Sequence, residues 1–216
     1  MKKKGLFDVI SPIMIGPSSS HTAGAIRLGL MGRYIYNSKI KKVHFVLYNS
    51  FAQTGRGHGT DKGLLSGVMG NYVDDVKTKN IFDLTDIEYS FSFLEDLSRH
   101  PNSVDIIIND DMKISGNSIG AGEIRITSIN GFTVNLSGKY HTIILMYKDK
   151  PGMISMVSKI IQDNNINIAS LNCDRNEKGG TASMYIALDV NPSDEIIENI
   201  KKVNDVYFVT KVRKLD

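Results

Sequence analysis

Apolar and polar positions alternate most regularly toward the C-terminus. His141 to Tyr147 is a short apolar run rich in β-branched residues, which predicts a strand. The turn Asp149-Lys150-Pro151-Gly152 leads into a segment carrying Ile154, Val157, Ile160 and Ile161 at helical spacing, and Asn164-Asn165 ends it. Pro151 is expected at the first helical position, where its missing N–H deprives no intrahelical partner. Ile166 to Asp174 reads as a strand and Asn176 to Gly180 as a hairpin loop. Thr181 to Asp189 reads as a further strand with Ala182, Met184, Ile186 and Leu188 on one face. Pro192 is expected to open a second helix, striped by Ile196, Ile197, Ile200 and Val203, before Val206 to Val212 closes the sheet. The order βαββαβ predicts a ferredoxin-like domain over residues 139–216, with the boundary at Ser137-Gly138-Lys139.

Residues 1–138 carry a less regular, mixed α/β pattern, so the chain as a whole is of α+β class. Phe7 to Ile15 is short and apolar. Ser18-Ser19-Ser20 precedes a helix whose buried face is expected to hold Ala23, Ile26, Leu30 and Tyr34. Gly24, Gly29 and Gly32 weaken that helix and point to close backbone packing against a neighbour. Val43 to Asn49 predicts a strand, and Thr60 to Gly70 a helix through Leu64, Leu65, Val68 and Met69. Ile87 to Leu94 and Val104 to Ile108 read as strands, and Glu123 to Phe132 as part of a hairpin. Asn71 to Arg99 carries no recognisable motif.

Composition narrows the function classes. The chain has 216 residues, 41% of them hydrophobic, and a formal net charge of +3, all near the globular average. The clusters Lys2-Lys3-Lys4 and Lys39 to Lys42 read as solvated surface, so no nucleic-acid partner is expected. No apolar run approaches the ~18 residues of a membrane helix, and Asp8, Ser11 and Pro12 interrupt the apolar segment of the N-terminus. A cytoplasmic location away from membranes is therefore expected. One cysteine, Cys173, excludes an intrachain disulfide and is too few for a metal–sulfur cluster; its strand position suggests a small core residue.

Two histidine-bearing segments carry candidate chemistry. In Gly16-Pro17-Ser18-Ser19-Ser20-His21-Thr22, hydroxyls and free N–H groups converge on the positive end of a helix, which suits a carboxylate or phosphate. The helix dipole disfavours a charged imidazole there, and a neutral His21 beside an anion site is what proton abstraction requires. The second segment follows a strand: Ser50, then Thr54-Gly55-Arg56-Gly57-His58-Gly59-Thr60-Asp61. It reads as a tight glycine-rich turn that lets the backbone approach a ligand, with Thr60 and Asp61 capping the next helix. It lacks the Gly-Lys-Ser/Thr of a phosphate-binding loop and the spacing of a dinucleotide fingerprint. His21, His58 and His100 have no zinc-like spacing, no Gly-x-Ser-x-Gly is present, and His44 and His141 read as structural. At Asp149-x-Pro-Gly a third site combines helix N–H groups for a carboxylate with Asp149 for an ammonium, which suits an α-amino acid.

The two histidine segments, in this order, resemble the β subunit of iron–sulfur-dependent L-serine dehydratase. His100-Pro101-Asn102 and Ser118-Ile119-Gly120-Ala121-Gly122 also look like that family, although Ala121 stands where a glycine is expected. The C-terminal part is similar to an ACT domain, a small amino-acid-sensing module. The resemblance implies one subunit of a lyase that turns L-serine into pyruvate and ammonia and is inactive alone. It implies a [4Fe–4S] cluster ligated by a partner α subunit with one iron open to substrate, and no metal ligand in this chain. Within that frame His21 is the first candidate for the base and His58 the second, as base or orienting donor. Ser18, Ser19, Ser20, Thr22, Thr54, Gly57, Thr60 and Asp61 are the candidates for holding substrate. Asp149, Pro151 and Gly152 are the candidates for a regulatory amino-acid site, and the ACT half is expected to self-associate through a sheet edge. The alternative is a non-catalytic, serine-binding regulatory module similar to those attached to phosphoglycerate dehydrogenase.

Overall fold

Backbone contact between two helices organises the N-terminal part of the chain. The computed structural model describes residues 14–215, so residues 7–13 of the expected apolar segment Phe7 to Ile15 lie outside the described residues. Residues up to Gly131 with Asn135–Ser137 form one compact unit, and Phe132–Val134 with the residues from Gly138 onward form a second. In the first unit a π-helical turn, Ser19–Ala23, runs into helix α1, Gly24–Tyr36. Strand β1 (Lys42–Tyr48) is followed by α2 (Ser50–His58) and α3 (Thr60–Met69). A 3-10 turn, Val76–Asn80, and the short α4 (Ile81–Leu84) lead to β2 (Glu88–Leu94). Strands β3 (Ser103–Ile108), β4 (Met112–Gly120), β5 (Glu123–Ile129) and β6 (Phe132–Leu136) complete a six-stranded sheet of order β2-β1-β3-β4-β5-β6. β1 pairs with β2 in parallel and with β3 antiparallel.

Helices α1 and α3 cross at glycine. A methyl group on Gly29 would lie 2.3 Å from the Leu64 carbonyl oxygen, and one on Gly67 would lie 2.0 Å from that of Ile26. The close packing expected of the α1 glycines is therefore present at Gly29, and α3 contributes its own glycine to it. α1 is buried on most of its circumference, including Ile26, Leu28, Leu30 and Ile35. Tyr34, expected in that face, is only partly buried, and Ile35 takes the inward position.

Asp105 of β3 is a charged group inside this unit, its side chain 1% exposed. Its carboxylate accepts from Arg99 Nη2 (2.7 Å) and Nη1 (3.1 Å), from the Ser115 hydroxyl (2.7 Å) and from the Tyr48 hydroxyl (3.0 Å). Lys113 Nζ lies 2.9 Å away. Burial alone would raise this carboxyl, but the donors win and hold it down at about 2.

The second unit has the order β7 (His141–Lys148), α5 (Met153–Asp163), β8 (Ile168–Arg175), β9 (Thr181–Leu188), α6 (Asp194–Lys201) and β10 (Val206–Val212). The antiparallel sheet runs β10-β7-β9-β8, and Ile143, Leu145, Met184 and Ile186 pack beneath Val157, Ile161, Ile196 and Ile200. This is the expected βαββαβ arrangement. Both helices begin later than their prolines. Gly152, at φ 91°, is the N-cap of α5, and Ser193 caps α6 by accepting from the Ile196 N–H. Met153 is buried where Ile154 was expected, and Ile154 is 48% exposed. Cys173 is exposed rather than a core residue.

Candidate active site around His21

The site begins with Ser18, whose extended backbone (φ −140°, ψ 125°) turns the chain into the π-helical turn. Its hydroxyl accepts from the His21 N–H at 3.1 Å, so the serine caps the helix as its position suggested. The glycine-rich segment differs from expectation. Thr54 to His58 is not a loop but the second half of α2, and the chain breaks only at Gly59, whose φ of 72° lets α3 start at once. The N-cap of α3 is this glycine, and no side chain caps it.

α1 and α2 are joined by Thr22, 3% exposed, whose hydroxyl donates to the His58 carbonyl at 2.8 Å. This bond brings the two histidines together: their ring centroids are 5.1 Å apart at an interplanar angle of 74°. Phe51 also meets the His21 ring in a T-shaped contact, centroids 5.3 Å apart. His21 Nε2 lies 3.2 Å from the Ser50 hydroxyl, and Nδ1 lies 3.5 Å from that of Ser18, a loose contact. Burial, chiefly, and then the neighbouring His58 push the His21 imidazole below its ordinary value, while the contact with Ser50 acts in the opposite sense. The neutral state expected from the helix dipole thus has a different main cause.

The remaining candidates divide into engaged and unengaged groups. The Thr54 hydroxyl donates back to the Ser50 carbonyl at 2.8 Å, one turn earlier in α2. Asp61 accepts from the Lys62 N–H at 2.7 Å, and burial raises its carboxyl. Thr60 is fully buried and its hydroxyl has no partner among the described residues. Ser19 and Ser20 are partly exposed, and Gly57 is exposed. A cleft of about 230 Å³ is lined by Gly16, Thr22, Arg56, Gly57, Gly59 and Lys62 among others. Two groups on His21 carried no assigned role in the sequence reading: Ser50, 29 residues away, and Phe51. Only the turn from β1 into α2 brings them there. Ser118 reaches the same region, its hydroxyl donating to the Ser20 carbonyl at 2.8 Å. Ala121, in place of the expected glycine, takes the left-handed conformation at φ 53°.

In the second unit, Asp149, Pro151 and Gly152 line a hollow of about 690 Å³ with Tyr147, Cys173 and Arg175. Asp149 is not open to an ammonium group in this arrangement. Its carboxylate accepts from the Gly179 N–H and from Arg175, both at 3.0 Å, and these donors hold it below the usual carboxylate range. No three His, Cys, Asp or Glu side chains among the described residues converge as a metal site. The described residues, with Cys173 as the single cysteine of the sequence, do not fit an iron–sulfur cluster. No helix among the described residues is long and apolar enough to cross a membrane.

The chain thus combines a mixed α/β unit, in which two histidines meet at a helix joint, with a βαββαβ module of the ACT-domain type. The family model described as "Serine dehydratase beta chain" matches residues 5–113, and that of an "AHAS small subunit-like ACT domain" matches residues 143–208. The chain is 35% identical over 218 residues to "Probable L-serine dehydratase, beta chain" of Bacillus subtilis, covering 98% of this chain and 99% of that one. It is 38% identical over 192 residues to "L-serine dehydratase, beta chain" of Peptoniphilus asaccharolyticus, covering 85% and 86%. It also matches "D-3-phosphoglycerate dehydrogenase" of Bacillus subtilis at 31% identity over 157 residues, covering 68% of this chain but 30% of that enzyme. The chain belongs to the serine dehydratase beta chain family and carries a C-terminal ACT domain.

Proposed function

We propose that this chain is the β subunit of an enzyme converting L-serine to pyruvate and ammonia, with His21 as the base that takes the Cα proton. The observation that carries the reading is His21 itself: half-buried, held below its ordinary pKa, and bracketed by Ser18, Ser50 and His58. An imidazole that stays unprotonated near neutral pH, yet is only partly buried, has the state a proton-abstracting group requires. Ser19 and Ser20, whose hydroxyls have no partner among the described residues, would receive the substrate carboxylate, with Gly57 leaving room beside them. Thr22, Thr54 and Ser18 act behind them, since their hydroxyls already hold the backbone in place. His58 stands close enough to orient substrate or to relay the proton. Taking the proton at Cα and losing hydroxide at Cβ removes water from serine. The enamine so formed takes a proton at Cβ to become an imine, whose hydrolysis returns that water and releases ammonia, so the atoms balance.

The cluster that the family resemblance implies belongs, in this proposal, to a partner α chain, where it would assist departure of the hydroxide. The ACT domain would bind an amino acid in the hollow at Pro151 and Gly152 and self-associate through a sheet edge, tuning the rate. The match to the dehydrogenase supports a second reading, in which the same two units bind serine and only regulate. Co-expression with the partner chain separates the two. The first reading expects serine-dependent pyruvate from the pair and none from either chain alone. It also expects His21→Ala to remove turnover by at least about 100-fold while assembly persists. Near-normal turnover by that variant would retire His21 as the base.

A further inference from the structure

We propose that the Arg99–Asp105 ion pair, with Asn49, is a positioning device that holds the contact surface of His21; the inference rests on His21 being the base. The groups that touch the ring from the β1–α2 side are Ser50 and Phe51. Both sit immediately after Asn49, whose backbone (φ 52°, ψ −119°) lies in a region that costs a non-glycine residue of order 1–3 kcal/mol. Such a conformation persists only where surrounding bonds fix it. Here they come from one segment: the Asn49 side chain accepts from the Asp96 N–H at 2.8 Å and donates to the Asp96 carbonyl at 2.8 Å. The Phe51 N–H donates to the Pro101 carbonyl at 3.3 Å.

That segment is anchored in turn by Arg99. Its guanidinium forks onto both oxygens of Asp105 and lies 3.9 Å over the ring of Tyr48, the residue before Asn49. The Tyr48 hydroxyl ends on the same carboxylate. Residues 48 to 51 are thus clamped at Tyr48, Asn49 and Phe51, leaving the Ser50 side chain to meet the imidazole. Fold stability alone is a weak reason for such a buried pair, because apolar replacements of similar volume often serve equally well. A fork and a stacked plane fix direction as well as distance, which a lysine cannot reproduce.

The test uses the full-length chain and its reconstituted pair with the partner, comparing Arg99→Leu, Arg99→Lys and Asn49→Gly. Proton NMR follows the His21 titration in the chain alone, with His58, the titratable group facing it, assigned by its own substitution. The expected result for Arg99→Leu is movement of the His21 midpoint toward 6.5 as water gains access, with kcat of the pair reduced about 10- to 100-fold and KM within about twofold. Arg99→Lys should recover only part of both effects. Asn49→Gly relieves the strained backbone without removing the ion pair. It should lower the melting temperature little yet loosen Ser50, shifting the same His21 signal. If all three variants melt lower or unchanged while the His21 midpoint and kcat stay at their wild-type values, the positioning role is overturned. Loss of His21 as the base would instead appear as retained turnover in His21→Ala, whatever the titration of Arg99 variants.

Discussion

Gly57 offers a measurement in which stability and function should move in opposite directions. It lies in the last turn of α2, and a methyl group placed on it would meet nothing within 4 Å. Glycine in a helix costs roughly 0.5–1 kcal/mol relative to alanine, and no packing within the described residues of the chain repays this. Gly57→Ala should therefore stabilise the isolated chain by that amount, raising its melting temperature by about 2–4 °C for a unit of this size. If substrate or the partner approaches the backbone here, the same methyl group would raise KM or weaken assembly several-fold. Gly67→Ala provides the contrast. Its methyl group would sit 2.0 Å from the Ile26 carbonyl oxygen and 2.7 Å from the Leu30 nitrogen. Separating two helix backbones should cost about 1–3 kcal/mol or more, outweighing the gain in helix propensity. Differential scanning calorimetry of both variants, with serine turnover of the reconstituted pairs, gives the four numbers. A lower melting temperature for Gly57→Ala would refute the reading of its surroundings. A higher one with unchanged turnover and assembly would show that nothing comes near it.

Acidification should expose the two buried titrations separately. His21 is depressed in the folded chain, so between its folded midpoint and 6.5 the unfolded chain binds more protons; stability falls as pH drops through that window. Denaturant unfolding as a function of pH should show a flatter slope there for His21→Gln. Asp105 is held at about 2 against 3.8 when unfolded. Its contribution, on the order of 2 kcal/mol at neutral pH, is fully present above the unfolded value and disappears as pH falls from there toward 2; Asp105→Asn should remove that dependence in acid unfolding. In the ACT domain, Asp149→Asn should change stability little, since Arg175 is exposed and solvent screens the pair, yet should increase amide exchange at Gly179. Unchanged exchange there would mean the carboxylate does not hold that turn.

The C-terminal module was legible because its strands and helices bury one face each. Met184, Ile186, Val157 and Ile200 announce their periods; the helix starts slipped, where Pro151 and Pro192 lie before the caps rather than after them, and Cys173 faces outward from its strand. The first unit was harder. The run of glycines from Gly55 to Gly59 suggests a turn to any local reading, yet tertiary support keeps it helical up to Gly59. β4 contains Gly116 and four polar side chains, Lys113, Ser115, Asn117 and Ser118, and gives no strand signal of its own; its register against β3 and β5 makes it a strand. At the site, the histidines and the capping serine were visible as motifs. Ser50 and Phe51 were not visible as neighbours of His21, because the left-handed turn at Asn49 that aims them is a backbone property without a sequence period.

The Thr22 to His58 bond has a further consequence for how the two imidazoles behave as a pair. It runs from a buried side chain in the π-helical turn to the main chain at the end of α2, so it fixes the spacing of the two backbone segments that carry the rings. Exchanging either imidazole for another group would alter the surface presented there while leaving the backbone spacing beneath it alone. With centroids 5.1 Å apart the two rings touch, so an incoming molecule meets them as one joined surface.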